Sequence, residues 1–279
     1  MKKFVFIALA AFSVIGTTIK AQVKMPAPST TQTIRQDFGL GTIELVYSRP
    51  NIKGRSLLMN KSELVPLGQL WRTGANAATR IHFSDNVSIG GHALDTGSYV
   101  IYTIPNKSDW TIIINRGIKN WGTVYNQDED VFRITVPSMN YSAKTETFTM
   151  NFVNITNTTC DLQLTWGNTA VNIPITTNIN DRIRASIESG LMSDKKPYYQ
   201  ASTFYYEIDH NNAKALENIN KAIGENPKAF WMYLQKAKIQ KSMGDKAGAK
   251  MSAQQVITFA TEAKNNDYVG MANDLIKSM

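Results

Sequence analysis

The hydrophobic pattern of this chain changes period once, near Asn178, and this change separates a β-rich part from a helical part. Before it, apolar and polar residues alternate, as in residues 131–136 and 147–153. Such alternation is typical of antiparallel strands with one buried face. After it, apolar residues recur at every fourth position, namely Ile179, Ile183, Ile187 and Leu191. We therefore predict an antiparallel β-sandwich over residues 32–177 and an all-α part over residues 179–279.

Turn signals support the β-rich assignment. Gly90-Gly91 separates two short apolar runs, which predicts a two-residue hairpin. Residues 99–104 and 110–114 are almost continuously apolar, so we predict central strands that are covered on both faces. Strands at intervals of about 8–12 residues indicate a sandwich or a barrel, with roughly nine to eleven strands. We predict the sandwich.

The helical part contains a degenerate repeat. Residues 211–215 and 245–249 are similar and start 34 residues apart. This spacing is typical of tetratricopeptide repeats, which use two helices per unit. Lys236 and Gln240 stand where that motif prefers apolar residues, so a plain pair of helical hairpins is the alternative. We predict a tetratricopeptide-like tail that contacts a protein partner.

The N-terminus predicts export. Lys2-Lys3 precede an apolar run over residues 4–16, and a small residue, Ala21, follows. This is the pattern of a signal peptide, residues 1–21, cleaved after Ala21. We expect residues 22–31 to form a disordered leader and no later segment to span a membrane. The single cysteine, Cys160, lies far from the cleavage site, so we predict a periplasmic or surface protein of a Gram-negative bacterium without a lipid anchor.

Charge and motifs remove several function classes. The net charge is +8, and the lysines are spread along the helices without a basic, aromatic stripe, so we predict no nucleic-acid partner. The three histidines lack metal-ligand spacing, and we predict neither a metal site nor a cofactor. Residues 128–130 are predicted to be a solvated acidic loop. No Gly-x-Ser-x-Gly motif is present. His82 with Ser84 is an example of a serine–histidine arrangement that would lie on one side of a strand. No catalytic residue is assigned.

The segment over residues 48–77 is the candidate site. It concentrates arginines, glycines, asparagines and a tryptophan in a stretch that resembles neither a helix nor a plain strand. Guanidinium groups bind carboxylates, sulfates and phosphates, and an indole can stack on a sugar. We predict a site for an anionic or sugar-like small ligand, with these binding residues: Arg49, Arg55, Trp71, Arg72, Thr73 and Asn76.

A structural role for the same segment is the alternative. Gly54 and Gly74 would then serve turns, and Trp71 would plug one end of the sandwich. Arg72 would pair with a carboxylate inside the fold, for which the candidates are Glu44 and Asp85. Breaking such a buried pair would cost about 3–5 kcal/mol, so this role would show in the stability of Arg72→Ala.

Several short motifs in the β-rich part resemble a known family. The motifs are Tyr47-Ser48-Arg49-Pro50, Lys53-Gly54-Arg55, Trp71-Arg72-Thr73-Gly74-Ala75-Asn76, Phe83, Ile89-Gly90-Gly91, Gly97-Ser98-Tyr99, Ile104-Pro105, residues 110–115 and Trp121-Gly122. Together they are similar to the family called domain of unknown function 2911, over residues 32–175. The resemblance implies an exported all-β domain of Gram-negative bacteria and implies no activity.

Three functions are compatible with the sequence. The first is a non-enzymatic binding or interaction module of the cell envelope, with a ligand site on the sandwich and a helical tail for protein contacts. The second is a hydrolase that acts on envelope or glycan substrates. The third is a purely structural envelope protein. The residues favour the first, because a nucleophile, a metal set and an acid–base pair are all unassigned.

Overall fold

The computed structural model describes residues 25–120 and 123–279. The predicted signal peptide, residues 1–21, lies outside these ranges. The strands are β1 (Thr30–Phe38), β2 (Gly41–Arg49), β3 (Thr79–Phe83), β4 (Val87–Ile89), β5 (His92–Leu94), β6 (Gly97–Pro105), β7 (Asp109–Asn115), β8 (Asp130–Val153) and β9 (Thr159–Thr176). The helices are α1 (Asn180–Leu191), α2 (Tyr198–Glu207), α3 (Asn212–Glu225), α4 (Phe230–Ser242), α5 (Lys246–Glu262) and α6 (Asn266–Lys277).

All strand pairs are antiparallel, and the strand order is β1-β2-β3-β6-β7-β8-β9-β4-β5. Residues 130–137 of β8 pair with β7, and residues 138–153 pair with β9. Register shifts between Asn140 and Thr149 interrupt the β8–β9 pairing, and such bulges bend a strand. The two alternating segments at residues 131–136 and 147–153 are therefore halves of one strand that takes part in both layers.

The core lies between the two layers. Inward side chains of β3 and β7, such as Ile81 and Ile112, belong to the same buried cluster as Phe148 on β8 and Leu164 on β9. The strands alternate as the sequence predicts: β3 is buried at its first, third and fifth residues and exposed between them. The predicted class, an antiparallel β-sandwich followed by helices, is confirmed.

The chain just after β2 joins the two layers at one edge. The N–H of Ile52 donates to Glu146 O (3.0 Å), and the N–H of Phe148 donates to Pro50 O (2.8 Å). The Tyr47 hydroxyl accepts the N–H of Met150 at 2.9 Å and lies 3.1 Å from Met150 O. Burial raises the pKa of this phenol, so the hydroxyl stays a neutral donor and acceptor.

The central strands β6 and β7 are covered on both faces, as their continuous apolar sequences predict. Their inward residues enter the sandwich core. On the outer face, Val100, Tyr102 and Ile113 are buried, and Ile118 and Tyr125 pack against them. The segment between β7 and β8 thus covers part of the outer face of the sheet.

The helices follow the predicted spacing. The apolar stripe begins just before α1 and ends with it, and Ile179 and Ile187 are buried. α2 packs on α3, and α4 packs on α5. Asn211 and Asp245, the predicted 34-residue pair, are the caps that accept the backbone N–H groups of Lys214 and Gly248. None of the helices in the described residues is long and apolar enough to cross a bilayer.

Candidate functional site

The candidate segment over residues 48–77 runs beside the end of β6. Trp71 and Thr103 exchange two backbone hydrogen bonds, of 2.7 Å and 2.9 Å, and Gly68 N–H donates to Pro105 O (2.8 Å). The chain then turns back to β2, where Ala75 N–H donates to Ser48 O (3.3 Å). The segment therefore pairs with the part of β6 that the short strand β3 does not reach.

Trp71 is partly buried and packs against the core of the sandwich. Its ring centroid lies 4.9 Å from that of Phe148 and 5.6 Å from that of Trp166, with which it is stacked. Trp110 completes this cluster at 6.1 Å. The indole N–H donates to Gly74 O (3.0 Å). These contacts are the ones that the structural alternative assigns to Trp71.

The two residues before Ala75 have constrained backbones. Thr73 is fully buried and has φ 56°, a left-handed conformation that is strained for a β-branched residue. Its hydroxyl lies 3.2 Å from that of Thr103, and its carbonyl accepts a hydrogen bond from the Thr79 hydroxyl. Gly74 has φ 151°, and a Cβ atom there would lie 2.9 Å from Ser48 O, so the turn requires glycine.

Two of the predicted arginines bind protein oxygens. Arg49 donates from Nε to Phe148 O (3.2 Å) and from Nη2 to Thr149 Oγ1 (2.8 Å), which ties β2 to β8. Arg55 donates to Ile52 O (3.1 Å) and Asn51 O (2.7 Å) within its own turn. Arginine side chains that are engaged in this way have fewer donors left for a ligand.

Arg72 is partly buried, and its Nε has no hydrogen-bond partner among the described residues. Within those residues, neither Glu44 nor Asp85 forms an ion pair with it. The Asp85 carboxylate instead binds Arg182 of α1, with Nη1 to Oδ2 at 2.5 Å. Of the two carboxylates that the structural alternative offers to Arg72, Asp85 is therefore bound by the helical part, and Glu44 does not pair with Arg72.

Asn76 lies at a cavity on the outer face of the sheet. It has φ 57°, and its Nδ2 donates to Ser29 O (3.1 Å) and Ser48 Oγ (3.3 Å). The cavity has a volume of about 170 Å³ and is also lined by Ser48 and Arg80. Of the six predicted residues, Asn76 is thus brought together with an arginine that the sequence reasoning did not select.

A second cavity, of about 260 Å³, adjoins the first and shares Val46 and Arg80 with it. We call the two together the outer groove. It follows β2 and β3 along the face that points away from the core. Its polar lining consists of Thr31, Glu44, Ser48, Asn76, Arg80, His82 and Ser98. Its apolar lining includes Val46, Ala77, Ala78 and Ile118.

Arg80 stands where the two cavities meet. Strand register places it between Val46 of β2 and Val100 of β6, and its side chain is exposed. It forms no ion pair and no side-chain hydrogen bond with the part of the chain that the structure describes. The guanidinium therefore faces the groove without an ion-pair partner, and Glu44 is the one carboxylate in the groove lining.

One end of the outer groove carries a row of three polar residues on adjacent strands. His82 is paired in register with Glu44 on one side and Ser98 on the other. His82 Nδ1 lies 3.0 Å from Ser98 Oγ. The expected partner, Ser84, accepts the N–H of Thr42 at 2.7 Å instead. Sequence reasoning missed Ser98, because only strand pairing brings it next to His82.

Asn115 holds the segment between β7 and β8, which contributes Ile118 to the lining of the outer groove. This fully buried side chain donates to Asn126 O (2.9 Å) and Asp130 Oδ1 (2.8 Å), and accepts the N–H of Gly117 (2.8 Å). It thus joins both ends of the segment between β7 and β8.

Residues 128–130 are predicted to be a solvated acidic loop, and this prediction is wrong for Glu129 and Asp130. Both are partly buried and accept hydrogen bonds from other side chains. Asp130 Oδ2 accepts hydrogen bonds from Tyr125 (2.7 Å) and from Arg133 (2.7 Å). Burial and the bond to Asp130 raise the pKa of Tyr125 to about 12. Glu129 accepts a bond of 2.6 Å from Asn120. These bonds add to those of Asn115 in holding the wall of the outer groove.

Two other features are less suited to bind an anion or to act as a nucleophile. The cavity between the sandwich and α1, of about 490 Å³, has Glu207 as its one ionisable lining residue. Cys160 is buried, and burial raises the pKa of its thiol to about 11, which opposes thiolate formation. Neither feature offers the positive charge that Arg80 supplies.

Comparison with known proteins assigns the β-rich part to a family. The family described as "Protein of unknown function (DUF2911)" matches residues 29–175, more than half of the 279 residues. The match spans β1 to β9, except the last residue of β9, and therefore includes the whole outer groove but no helix. No curated protein matches the chain. The chain belongs to the DUF2911 family.

Proposed function

We propose that the chain is a non-enzymatic binding module and that its outer groove holds a small acidic sugar. The observation that carries this proposal is the position of Arg80, an exposed cation without a protein partner in the described residues, between two adjoining cavities. An unpaired guanidinium in a concave site favours a carboxylate or a sulfate, which it can bind with two parallel hydrogen bonds.

The rest of the lining suits a sugar. Ser48 and Asn76 stand on one side of Arg80, and Ser98 stands on the other. Hydroxyl and amide groups can each donate and accept, as sugar hydroxyls require. Small apolar side chains, Val46 and Ala78, lie between them and can contact the apolar face of a ring.

A hydrolase is the second candidate, and the His82–Ser98 contact favours it. Acyl transfer also needs N–H donors for the developing oxyanion. β3 is paired with β2 on one side and β6 on the other, so its backbone N–H groups are already used in the sheet. The His82–Ser98 pair therefore supports ligand contact better than hydrolysis.

The Arg80 side chain provides the test of this proposal. We expect Arg80→Ala to weaken the binding of glucuronate by about 10- to 100-fold, because hydrogen bonds to charged groups contribute about 1.5–3 kcal/mol. Glucose, which lacks the carboxylate, should bind weakly to both proteins. Calorimetric titration of the full chain measures these affinities. Arg35→Ala is the matched control, since Arg35 is exposed on the same face of β1.

Two results would contradict the assignment of the outer groove. Equal affinities for glucuronate and glucose would remove the role of the guanidinium. Loss of binding in Arg49→Ala, Arg55→Ala or Arg72→Ala, with Arg80→Ala unchanged, would place the site on the arginines first predicted from the sequence. Turnover of a glucuronate ester that is lost in Ser98→Ala would favour the hydrolase.

We also propose that the protein is exported, on the strength of the N-terminal pattern of Lys2-Lys3 and the apolar run. Expression of the full chain in a Gram-negative host should give a periplasmic protein whose N-terminal residue is Gln22. Mass spectrometry of the periplasmic fraction measures this. Changing both lysines to glutamate should slow processing, whereas Lys24→Glu, beyond the cleavage site, should not. An unprocessed protein that stays in the cytoplasm would contradict export.

The helical tail is proposed to be tetratricopeptide-like and to contact a protein. The equivalent caps Asn211 and Asp245 support the repeat. Three tyrosines of the helices that could form an aromatic partner surface are only partly exposed, namely Tyr199, Tyr206 and Tyr233. Tyr233 also donates to Pro227 O (3.0 Å). Because these three rings are partly covered, little of their aromatic surface is left for a protein partner.

A further inference from the structure

A second polar cavity lies among the helices, away from the part of the chain that matches DUF2911. It has a volume of about 300 Å³ and lies between the end of α1, α2 and α3. We call it the lysine pocket. Its lining consists of Leu191, Lys196, Tyr198, Tyr205, Lys214, Glu217, Asn218 and Lys221. The proposed sugar site does not involve any of these residues.

Two of the three lysines are held in place by tyrosine rings. The ammonium group of Lys214 lies 5.1 Å from the centre of the Tyr205 ring, and that of Lys221 lies 5.6 Å from the centre of the Tyr198 ring. A cation over an aromatic face is attracted by the ring quadrupole. These contacts reduce the freedom of two long side chains, so less entropy is lost when an anion binds them.

The pocket has an excess of positive charge. Glu217 is its one carboxylate, and it accepts a hydrogen bond of 2.6 Å from Lys221. Within the described residues, Lys196 and Lys214 form no ion pair. One of the three lysine charges is therefore neutralised, and two remain. Like charges that converge on one cavity repel each other unless an anion lies between them.

A tyrosine hydroxyl also belongs to the pocket. Tyr205 is only 4% exposed as a whole residue. It lines the cavity, and its hydroxyl makes no hydrogen bond to a residue that the structure describes. The hydroxyl can therefore donate to an anion that enters the cavity.

We propose that the lysine pocket binds a small dianion of the phosphate class, either inorganic phosphate or a phosphate monoester. Two unneutralised ammonium groups match two negative charges. A phosphate also has several acceptor oxygens, which can take bonds from both lysines and from the Tyr205 hydroxyl together. Lysine acts as a point charge with rotatable donors, which suits a tetrahedral anion, whereas a planar carboxylate favours arginine.

Calorimetric titration of the full chain with inorganic phosphate at low ionic strength tests this proposal. We expect saturable binding that Lys214→Ala weakens by about tenfold or more. Lys196→Ala serves as a second variant at the same pocket. Lys250→Ala, which removes an equally exposed charge from α5, should change the affinity by less than about twofold. Tyr205→Phe keeps the ring under Lys214 and should weaken binding by about threefold or more, because only the hydroxyl is lost.

The outcomes separate a built site from general attraction to a basic protein. Equal effects of Lys214→Ala and Lys250→Ala, or the absence of saturable phosphate binding, would overturn the proposal. Malonate that binds as tightly as phosphate would overturn the assignment of ligand class. An unchanged affinity in Tyr205→Phe would overturn the role of the hydroxyl. Tighter binding of a phosphate monoester than of inorganic phosphate would support the ester as the ligand.

Discussion

Trp71→Ala is expected to lower the free energy of unfolding of the β-sandwich by about 3 kcal/mol, the lower end of the usual cost for a buried aromatic side chain, because the indole is partly buried. The indole contacts Trp110, Phe148 and Trp166, so its removal leaves a cavity between the two layers. It also removes the donor to Gly74 O. The loss of that donor frees the strained turn at Thr73.

Urea unfolding followed by near-ultraviolet circular dichroism measures this loss. Four of the five tryptophans precede residue 178, so the signal reports chiefly on the β-rich part. Leu70→Ala is the matched control, because its side chain is 41% exposed and should matter by less than about 0.5 kcal/mol. A loss below about 1 kcal/mol for Trp71→Ala would show that this indole is dispensable for packing and free to serve a ligand.

Asn115→Ala is expected to cost about 3–5 kcal/mol and to abolish binding in the outer groove. The change leaves Gly117 N–H, Asn126 O and one Asp130 oxygen without their partner. Each buried group left unpaired costs about 1–3 kcal/mol. The segment that these bonds hold contributes Ile118 to the groove. Stability and glucuronate affinity should therefore fall together.

The matched control is Asn157→Ala, which removes an exposed asparagine from the turn between β8 and β9. It should change neither stability nor affinity by more than about 0.5 kcal/mol. Loss of stability in Asn115→Ala with full glucuronate binding would show that Ile118 is not needed at the groove. That result would restrict the site to β2, β3 and β6.

Asn115→Asp gives a pH-dependent version of the same test. The substituted carboxyl would lie beside Asp130, where the amide donates at 2.8 Å. A protonated carboxyl can still donate there, whereas an ionised one repels Asp130. The folded variant then binds a proton more tightly than its unfolded chain does. Its stability relative to the natural protein should therefore fall as pH rises from about 4 to about 7. Equal relative stability at both pH values would contradict the contact.

The motif that is most specific to the family has a structural basis in this protein. In Trp71-Arg72-Thr73-Gly74-Ala75-Asn76, the indole packs against the core, and Gly74 allows close approach to Ser48 O. Thr73 is buried in a left-handed conformation. Only Asn76, at the end of the motif, reaches the outer groove. Most residues of the motif therefore hold the turn that places Asn76.

The sequence by itself determined the class of the fold, because local periodicity is a property of neighbouring residues. Alternation over β3 and the four-residue stripe of α1 each indicate which face is buried before any partner is known. The glycines at Gly90-Gly91 likewise specify their hairpin, since both have positive φ, 57° and 86°. These features are encoded within about ten residues each.

Only the tertiary structure decided the candidate sites. Glu44, His82 and Ser98 are far apart in sequence and meet because β2, β3 and β6 pair in one register. A shift of that register by one residue would turn each side chain toward the core. From the sequence, Arg49 is a candidate ligand contact because it is charged. In the structure it lies where β2 meets β8, and its guanidinium donates hydrogen bonds to protein oxygens. Strand pairing places Arg80 between Val46 and Val100 at the groove, where it forms no ion pair within the described chain.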